Sequence, residues 1–243
     1  MKAGFYSGAS GLRAQQKRLD SIGNNLANVN TAGYKAEKTG FQDLIYTYMD
    51  VNTDTDPLTG HGVRLADLGT DQSQGALKST GGLLDFAIQG NGMFAVQLNG
   101  NRQYTRNGTF DVGLANGVPY LTTTNGAFVL DNAGNPIQIP QTEDGNLDVS
   151  GLVDRIGVYC FDRPGEMNPV GGTAYQPTQA SGAARLAVRG QDYTIMQGAV
   201  EQSNVQMQDE MTDMIMAQRA FQISARVVQT EDEIEQNVNS LRG

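Results

Sequence analysis

The stretch "NNLANVNTAGYK", residues 24–35, ends a helix-patterned segment with an unusual number of amides. Apolar side chains before and within it follow the seven-residue stagger of a coiled-coil seam, at Leu12, Leu19, Ile22, Leu26 and Val29. Asparagine is a mediocre helix former because its side chain competes for backbone hydrogen bonds. One or two such residues suffice to stop a helix, and this stretch has four. The sequence therefore predicts a helix end and a second use for the amides.

The other end of the chain predicts a second long helix. Residues 199–242 contain neither glycine nor proline, and 44 helical residues at about 1.5 Å each would extend roughly 60 Å. Apolar positions there alternate by threes and fours, at Met207, Met211, Met214, Phe221, Val228, Ile234 and Leu241. Residues 1–38 carry six basic and two acidic side chains, whereas residues 199–243 carry three basic and eight acidic ones. We therefore expect the two ends to pair as a coiled coil, although a core helix packed on a globular domain would show a similar pattern.

The middle of the chain changes from helical to strand periodicity. Asn-Gly pairs begin at positions 91, 99, 107, 116 and 125, and Asn-Gly is the strongest short hairpin signal because both residues tolerate positive φ. The intervening segments have strand composition, which predicts a β-meander over residues 85–140 and a further strand at 156–161. The expected fold class is α+β, with a central all-β domain inserted between the paired helices. The expected segments are the N-terminal helix (1–45), an extended connection (46–84), the β domain (85–190) and the C-terminal helix (191–243).

Composition excludes several classes of protein. Seventeen Lys plus Arg against 26 Asp plus Glu give a net charge of −9, which is unsuited to binding nucleic acid. The single cysteine, Cys160, lies in the apolar run "IGVYCF" and is expected to be a small buried hydrophobe. We expect no direct membrane insertion, since no apolar run is long enough to cross a bilayer. The N-terminus lacks a secretory signal pattern, so any export is expected to use another route.

The sequence contains no complete catalytic or ligand-binding motif. His61 is the one histidine, so neither a histidine triad nor a multi-histidine metal site can form. Residues 50–61, "DVNTDTDPLTGH", resemble the first half of a calcium loop, but Thr55 replaces the required glycine and His61 the required glutamate. The dinucleotide-like "GNGMFA" at 90–95, followed by Asp111, precedes predicted hairpins where that motif requires a helix. We therefore expect no catalytic residues, no cofactor and no metal.

Three ordered segments resemble the bacterial flagellar rod and hook proteins. Residues 10–44, "SGLRAQQKRLDSIGNNLANVNTAGYKAEKTGFQDL", are similar to the N-terminal signature of that family. Residues 87–110 are similar to its central β motif, and residues 197–233 to its C-terminal helix. One departure is Met93, where a second aromatic beside Phe94 is more usual. Hook members are usually considerably longer, so the length indicates a rod subunit, with the distal type slightly favoured over the proximal.

The resemblance implies a structural role in the basal body of the bacterial flagellum. Copies of the chain would stack helically into the axial drive shaft, with terminal helices around the export channel and the β domain outside. The implied partners are further copies, other rod proteins, the hook protein and the flagellar export apparatus, through which family members leave without a cleaved signal peptide. The competing interpretation, from a different class, is a β-sandwich module that binds glycan or calcium on a coiled-coil stalk.

If the chain is a rod subunit, we expect the amides to form hydrogen bonds between copies. An uncharged amide both donates and accepts hydrogen bonds, so it can bind a neighbour without burying charge. Gly33 is placed for the left-handed turn that ends the helix. The expected assembly interface comprises the two apolar seams together with Asn24, Asn25, Asn28, Thr31 and Gly33. Helix termination alone is the plainer alternative for these five residues.

Overall fold

The computed structural model describes residues 2–44, 46–48, 58–115, 117–140, 148–149 and 151–241. It divides into two compact units, each formed by separate stretches of the chain. The helical unit comprises Met1–Ala27, Glu37–Leu68 and Gln206–Gly243. The β unit comprises Asn28–Ala36 and Gly69–Val205.

The helices and strands of both units are numbered here in chain order. They are α1 (Lys2–Ala27), β1 (Glu37–Asp43), β2 (Tyr46–Tyr48), β3 (Leu58–Gly60), β4 (Val63–Thr70), β5 (Leu77–Ser79), β6 (Phe86–Gly90), β7 (Met93–Leu98), β8 (Asn101–Thr105), β9 (Phe110–Ala115), β10 (Val118–Thr123), β11 (Phe128–Val129), α2 (Leu152–Arg155), β12 (Val158–Cys160), β13 (Asn168–Gly171), β14 (Ala174–Gln176), β15 (Arg185–Leu186), β16 (Tyr193–Gln197), β17 (Ala199–Glu201) and α3 (Met207–Ser240). A 3₁₀ turn spans Pro164–Glu166.

The expected fold class, α+β with the terminal helices paired as a coiled coil, is wrong. Most of the described elements are strands, and the long helices number two, α1 and α3. These helices lie against each other through small residues of α1: a methyl added to Gly8 would lie 2.9 Å from Cγ2 of Val228. Gly11 faces Ser224 in the same way. Glycines present no side chain to insert between four residues of a partner, and no coiled-coil pairing is shown among the described residues of α1 and α3.

The second long helix begins later than its composition suggests. Residues 199–201 form the strand β17, which pairs with β5, and α3 begins only at Met207. Lack of glycine and proline permits a helix but does not require one. At β17 the pairing with β5 and the burial of Ala199, Val200 and Glu201 favour the strand. At the other terminus α1 ends at Ala27, within the asparagine-rich stretch, as predicted.

The β unit contains a nine-stranded sheet whose main path runs in the order β13-β14-β8-β7-β11-β10-β9. The strand β12 pairs with both β7 and β15, and it confirms the strand expected near residues 156–161. Separate two-stranded ladders join β6 to β16 and β5 to β17. A buried apolar core lies under the sheet, where Phe94 and Phe110 meet edge to face with ring centroids 5.2 Å apart.

Only some of the Asn-Gly pairs make the hairpins expected of them. Asn99 and Gly100 both have positive φ and connect β7 to its partner β8, as a type I′ turn requires. Gly126 lies in the turn between the paired strands β10 and β11. The pair at 91–92 instead follows β6, which is hydrogen-bonded to β16 and not to β7. The expected meander over residues 85–140 is therefore interrupted by long-range strand pairing.

The expected connection at 46–84 holds short strands, of which β2 pairs with β3 and β4 with β1. The calcium-loop-like stretch falls largely on residues 49–57, which lie outside the described residues. Across the described ranges, no helix has the length and apolarity needed to cross a bilayer. Among those same residues, no cluster of three His, Cys, Asp or Glu side chains is arranged to hold a metal ion.

Candidate assembly surface and buried polar cluster

Asn25, in the stretch that ends α1, is the polar centre of the helical unit. Its side chain is buried, with 2% exposure, and it uses both ends of its amide. Nδ2 donates to the carbonyl of Glu37 at 3.1 Å and to Oε1 of Glu210 at 2.9 Å, while Oδ1 accepts the N–H of Glu37 at 2.9 Å. One amide therefore connects α1, the start of β1 and the first turn of α3. This is an observed second use for an asparagine, and it lies within one subunit.

Burial disfavours the charged form of Glu210, the carboxylate partner of Asn25. Burial raises the pKa of Glu210 above its usual value, and the hydrogen bond from Asn25 opposes that rise. The nearby carboxylates of Asp213 and Asp209 add to it. Asp213 itself forms an ion pair of 3.3 Å with Arg18 of α1. Two polar contacts therefore join α1 to α3: Asn25 to Glu210, and Arg18 to Asp213.

The last residue of the quoted stretch, Lys35, belongs to a buried ion cluster in the β unit. Its Nζ lies 2.6 Å from Oε1 of Glu201, and both side chains are fully excluded from solvent. Arg106 approaches the other carboxylate oxygen, with Nη1 3.2 Å from Oε2 of Glu201. The backbone N–H of Gly75 also donates to Oε1, at 2.9 Å. Glu201 is therefore held by two cations and an amide.

Desolvation is the dominant electrostatic effect at this cluster. Burial lowers the pKa of Lys35 and of Arg106, even though the charge of Glu201 raises both. Lys35 also donates to the carbonyl of Ser73 at 2.6 Å, and Arg106 donates to the carbonyl of Gly90 at 2.7 Å. These bonds replace the water that a buried ammonium or guanidinium loses. Sequence reasoning missed the cluster because its three residues lie in widely separated segments and meet only after folding.

Gly33 adopts the left-handed conformation expected of it, with φ of +68°. It lies six positions beyond the end of α1, so it forms a later turn and not the cap of the helix. Its N–H donates to the carbonyl of Glu201 at 2.8 Å. A Cβ at this position would overlap the backbone nitrogen of Asn107. Conformation and close approach therefore both require glycine here.

The other amides of the stretch have partners of their own. Nδ2 of Asn24 donates to Oε1 of Glu37 at 3.0 Å on an exposed surface. Asn28 forms a turn with Thr31, whose backbone N–H donates to the Asn28 carbonyl at 3.0 Å and whose hydroxyl contacts Oδ1 at 3.2 Å. Use of Asn24 or Asn28 between subunits stays a prediction.

The apolar residues expected at an assembly interface fall into three groups by burial. Ile22 is buried within the helical unit. Half-buried positions are Leu12, Leu19, Leu26, Val29, Met214, Phe221 and Val228. Exposed positions are Met207, Met211, Ile234 and Leu241. The half-buried side chains are partly occupied inside the subunit, so the exposed group is the part available to a neighbour.

The structure adds an exposed apolar stripe that joins Ile234 and Leu241 of the expected seam to apolar residues outside it. With 3.6 residues per turn, six residues of α3 fall on one face of the helix, beside the face that contacts α1. They are Met216, Ile223, Val227, Ile234, Val238 and Leu241, with exposures between 37% and 87%. A row of exposed apolar side chains along one face of a helix marks an interaction surface. Its spacing was readable from the sequence, but its exposure depends on which face α1 covers.

Comparison with known proteins identifies the family. Three family models match the chain: "Flagella basal body rod protein" over residues 5–35, "Flagellar hook protein FlgE/F/G D1 domain" over 87–154, and "Flagellar basal body rod FlgEFG protein C-terminal" over 196–241. The flagellar basal-body rod protein FlgG of Buchnera aphidicola subsp. Baizongia pistaciae is 36% identical, and the match covers 96% of each chain. The chain belongs to the flagellar basal-body rod protein family. FlgG of Bacillus subtilis strain 168 is 32% identical, with 100% of both chains covered.

A second Bacillus subtilis protein, the flagellar hook-basal body complex protein FlhP, is also 32% identical over 100% of both chains. The resemblance seen in the sequence is confirmed by these matches. The chain is a structural subunit of the flagellar rod, and its location is the flagellar basal body. The family is one of structural rod proteins and not a class of enzymes.

Proposed function

We propose that copies of this rod subunit assemble helically through α1 and α3 into the shaft of the basal body. The observation that carries the proposal is the exposed apolar stripe of α3, which runs from Met216 to Leu241. Burying one such side chain completely, relative to leaving it exposed, contributes about 1.5–3 kcal/mol. Each subunit carries six of these side chains, so every subunit in the stack would gain from their burial. The half-buried seam residues and the exposed Asn24 would complete the interface.

The proposed partners are other copies of the chain, further rod proteins, the hook protein and the flagellar export apparatus. A continuous stack of helices would enclose the export channel and transmit torque. The four segments expected from the sequence, bounded at residues 45, 84 and 190, would be the parts of each stacked copy. We propose no catalytic activity for the chain and no cofactor.

A charge placed on the stripe tests the proposal. Val227 is 44% exposed and borders Gly8 of α1, so Val227→Asp places a carboxylate on the proposed contact while its folding is checked separately. Gln229→Asp is the matched control, because Gln229 is exposed on the nearly opposite face of α3. Each variant would be the only copy in its strain, with swimming motility and isolated basal bodies as readouts.

The expected result is loss of motility and truncated rods in Val227→Asp, with normal swimming in Gln229→Asp. Circular dichroism and urea denaturation of both purified variants would confirm that each is folded. A motile Val227→Asp strain with rods of normal length would show that this face of α3 is not an assembly contact.

A further inference from the structure

A cavity of about 270 Å³ lies within the β unit, beside the buried ion cluster. Two arginines line it, Arg106 and Arg185. The Arg106 side chain is only 4% exposed, whereas Arg185 is exposed. Two arginines at one small cavity are the usual arrangement for recognising an oxyanion, because guanidinium donors match carboxylate geometry.

Arg106 has a hydrogen-bond donor left over. Its Nη1 donates to the carbonyl of Ile88 and contacts Glu201, and its Nη2 donates to the carbonyl of Gly90. Its Nε–H has no acceptor among the described residues, although the atom is buried. A buried donor without a partner loses its hydration without compensation, so such atoms mark places where something else binds.

The two arginines of the cavity differ in their ion pairs. Lys35 and Arg106 face one buried carboxylate, that of Glu201, and the field of Asp71 reaches Lys35 more weakly. Across the described ranges, Arg185 forms no ion pair within 4.0 Å. Among the described residues, Arg185 is therefore an arginine of the lining without a close carboxylate, although the two arginines and the two aspartates of the lining cancel in formal charge.

Two carboxylates also line the cavity, and their fields oppose a bound anion. Oδ2 of Asp192 accepts the backbone N–H of Val188 at 2.9 Å, so that oxygen is already engaged. Asp162 is exposed, where solvent screens its charge. Neither carboxylate lies within ion-pair distance of Arg106 or Arg185 in the described structure. The Nε–H of Arg106 and the side chain of Arg185 therefore have no carboxylate partner among the described residues.

We propose that this cavity binds a carboxylate group, which accepts a hydrogen bond from Nε–H of Arg106 and pairs with Arg185. The volume is near the lower end for ligand pockets and suits a small organic acid or one acidic side chain. The carboxylate can come from a free organic acid or from an aspartate or glutamate of a neighbouring copy. The second source rests on the proposed self-assembly, and the first does not.

The test observes the Arg106 Nε–H directly, by ¹H–¹⁵N NMR of the purified full chain. Sodium acetate is titrated at constant ionic strength, with sodium chloride and neutral acetamide as controls. The Arg106 resonance should shift with acetate to saturation and stay fixed with either control. Arg185→Gln should weaken acetate binding about tenfold, the loss expected for one charged hydrogen-bonding partner. Arg219→Gln, an equal charge change at an exposed position of α3, should leave it unchanged.

A second arm separates the two sources of the carboxylate. If a neighbouring copy supplies it, the Arg106 resonance should also shift as protein concentration rises, and Arg185→Gln should reduce that shift. If the ligand is a free acid, the resonance should respond to acetate at every protein concentration and to dilution at none.

A different result would overturn the proposal. An Arg106 resonance that ignores both acetate and protein concentration, and that exchanges magnetisation with bulk water, would show that the cavity holds only water. Because Arg185 is exposed, Arg185→Gln should fold, so the test does not depend on altering the buried Arg106.

Discussion

Lys35 and Glu201, 166 positions apart in the sequence, form an ion pair of 2.6 Å that is closed to solvent. Lys35 follows α1 in the chain, and Glu201 precedes α3. The two segments that adjoin the terminal helices are therefore joined to each other inside the β unit. Arg106, from the central part of the chain, completes the cluster at 3.2 Å from the same carboxylate.

The cluster predicts unequal costs for removing its members. Glu201→Gln would leave two buried cations without their anion, and breaking a buried pair in this way costs about 3–5 kcal/mol. Lys35→Met should cost less, because Glu201 keeps Arg106 and the N–H of Gly75. Urea denaturation of the two variants measures the order. A Lys35→Met variant less stable than Glu201→Gln would contradict the central position of Glu201.

Gly33 predicts a second difference in stability, measured by the same method. A left-handed conformation costs a residue with a side chain about 1–2 kcal/mol, which Gly81→Ala should show because a Cβ at Gly81 meets open space. Gly33→Ala should cost clearly more, because its Cβ would also overlap the backbone of Asn107. Equal losses in the two variants would show that the close approach at Gly33 has no energetic effect.

The sequence predicted those features of the fold that depend on local pattern. The end of α1 near Ala27, the hairpin at Asn99 and the strand at Val158–Cys160 all follow from residue type and spacing. The start of α3 was mispredicted because β17 is a strand only through its pairing with β5. Long-range pairing of this kind leaves no local signature in the chain.

Heptad spacing predicts interaction surfaces on the terminal helices, which stays a prediction, and it could not tell which apolar face of α3 the helix α1 would cover. Asn25 was singled out as an amide with a second use, yet its partner Glu210 lies 185 positions away. The Lys35–Glu201–Arg106 cluster was missed for the same reason, since its members meet only after folding.

Glu210 predicts a pH dependence of stability. Burial raises its pKa in the folded state above the ordinary value of 4.5, so the unfolded chain loses this proton first. This contribution therefore lowers stability as the pH rises through about 4.5 and up to the folded pKa, and it is constant above that. Glu210→Gln removes the charge and keeps an oxygen for Asn25.

The measurement is the free energy of unfolding at about pH 4 and about pH 7, obtained by urea denaturation. The free energy of unfolding at about pH 7 minus that at about pH 4 should be more positive for Glu210→Gln than for the unaltered protein. Glu233→Gln is the matched control, because Glu233 is exposed and its removal should leave the difference unchanged. An identical pH difference in all three proteins would exclude Glu210 as its source.

Leu19 and Asp111 together test which part of the subunit carries its function. Leu19 is half-buried in α1, and Leu19→Asp should abolish motility by placing a charge in an apolar environment, at a cost of several kcal/mol. Asp111 is exposed, and among the described residues its carboxylate accepts the N–H of Val112 alone, at 2.8 Å. Asp111→Ala should therefore swim normally and stay within about 0.5 kcal/mol of the original stability. A motile Leu19→Asp strain beside a non-motile Asp111→Ala strain would move the functional site to the β unit.

The central claim, that copies contact one another through the stripe of α3, is tested most directly by site-specific photo-crosslinking in cells. A photoreactive phenylalanine analogue would replace Val227 in one strain and Gln229, on the nearly opposite face, in another. The account predicts that Val227 yields dimers and higher multimers of this chain in purified basal bodies, and that cells blocked in flagellar export yield none. Absence of such multimers from basal bodies that contain the photoreactive subunit at position 227 would contradict it.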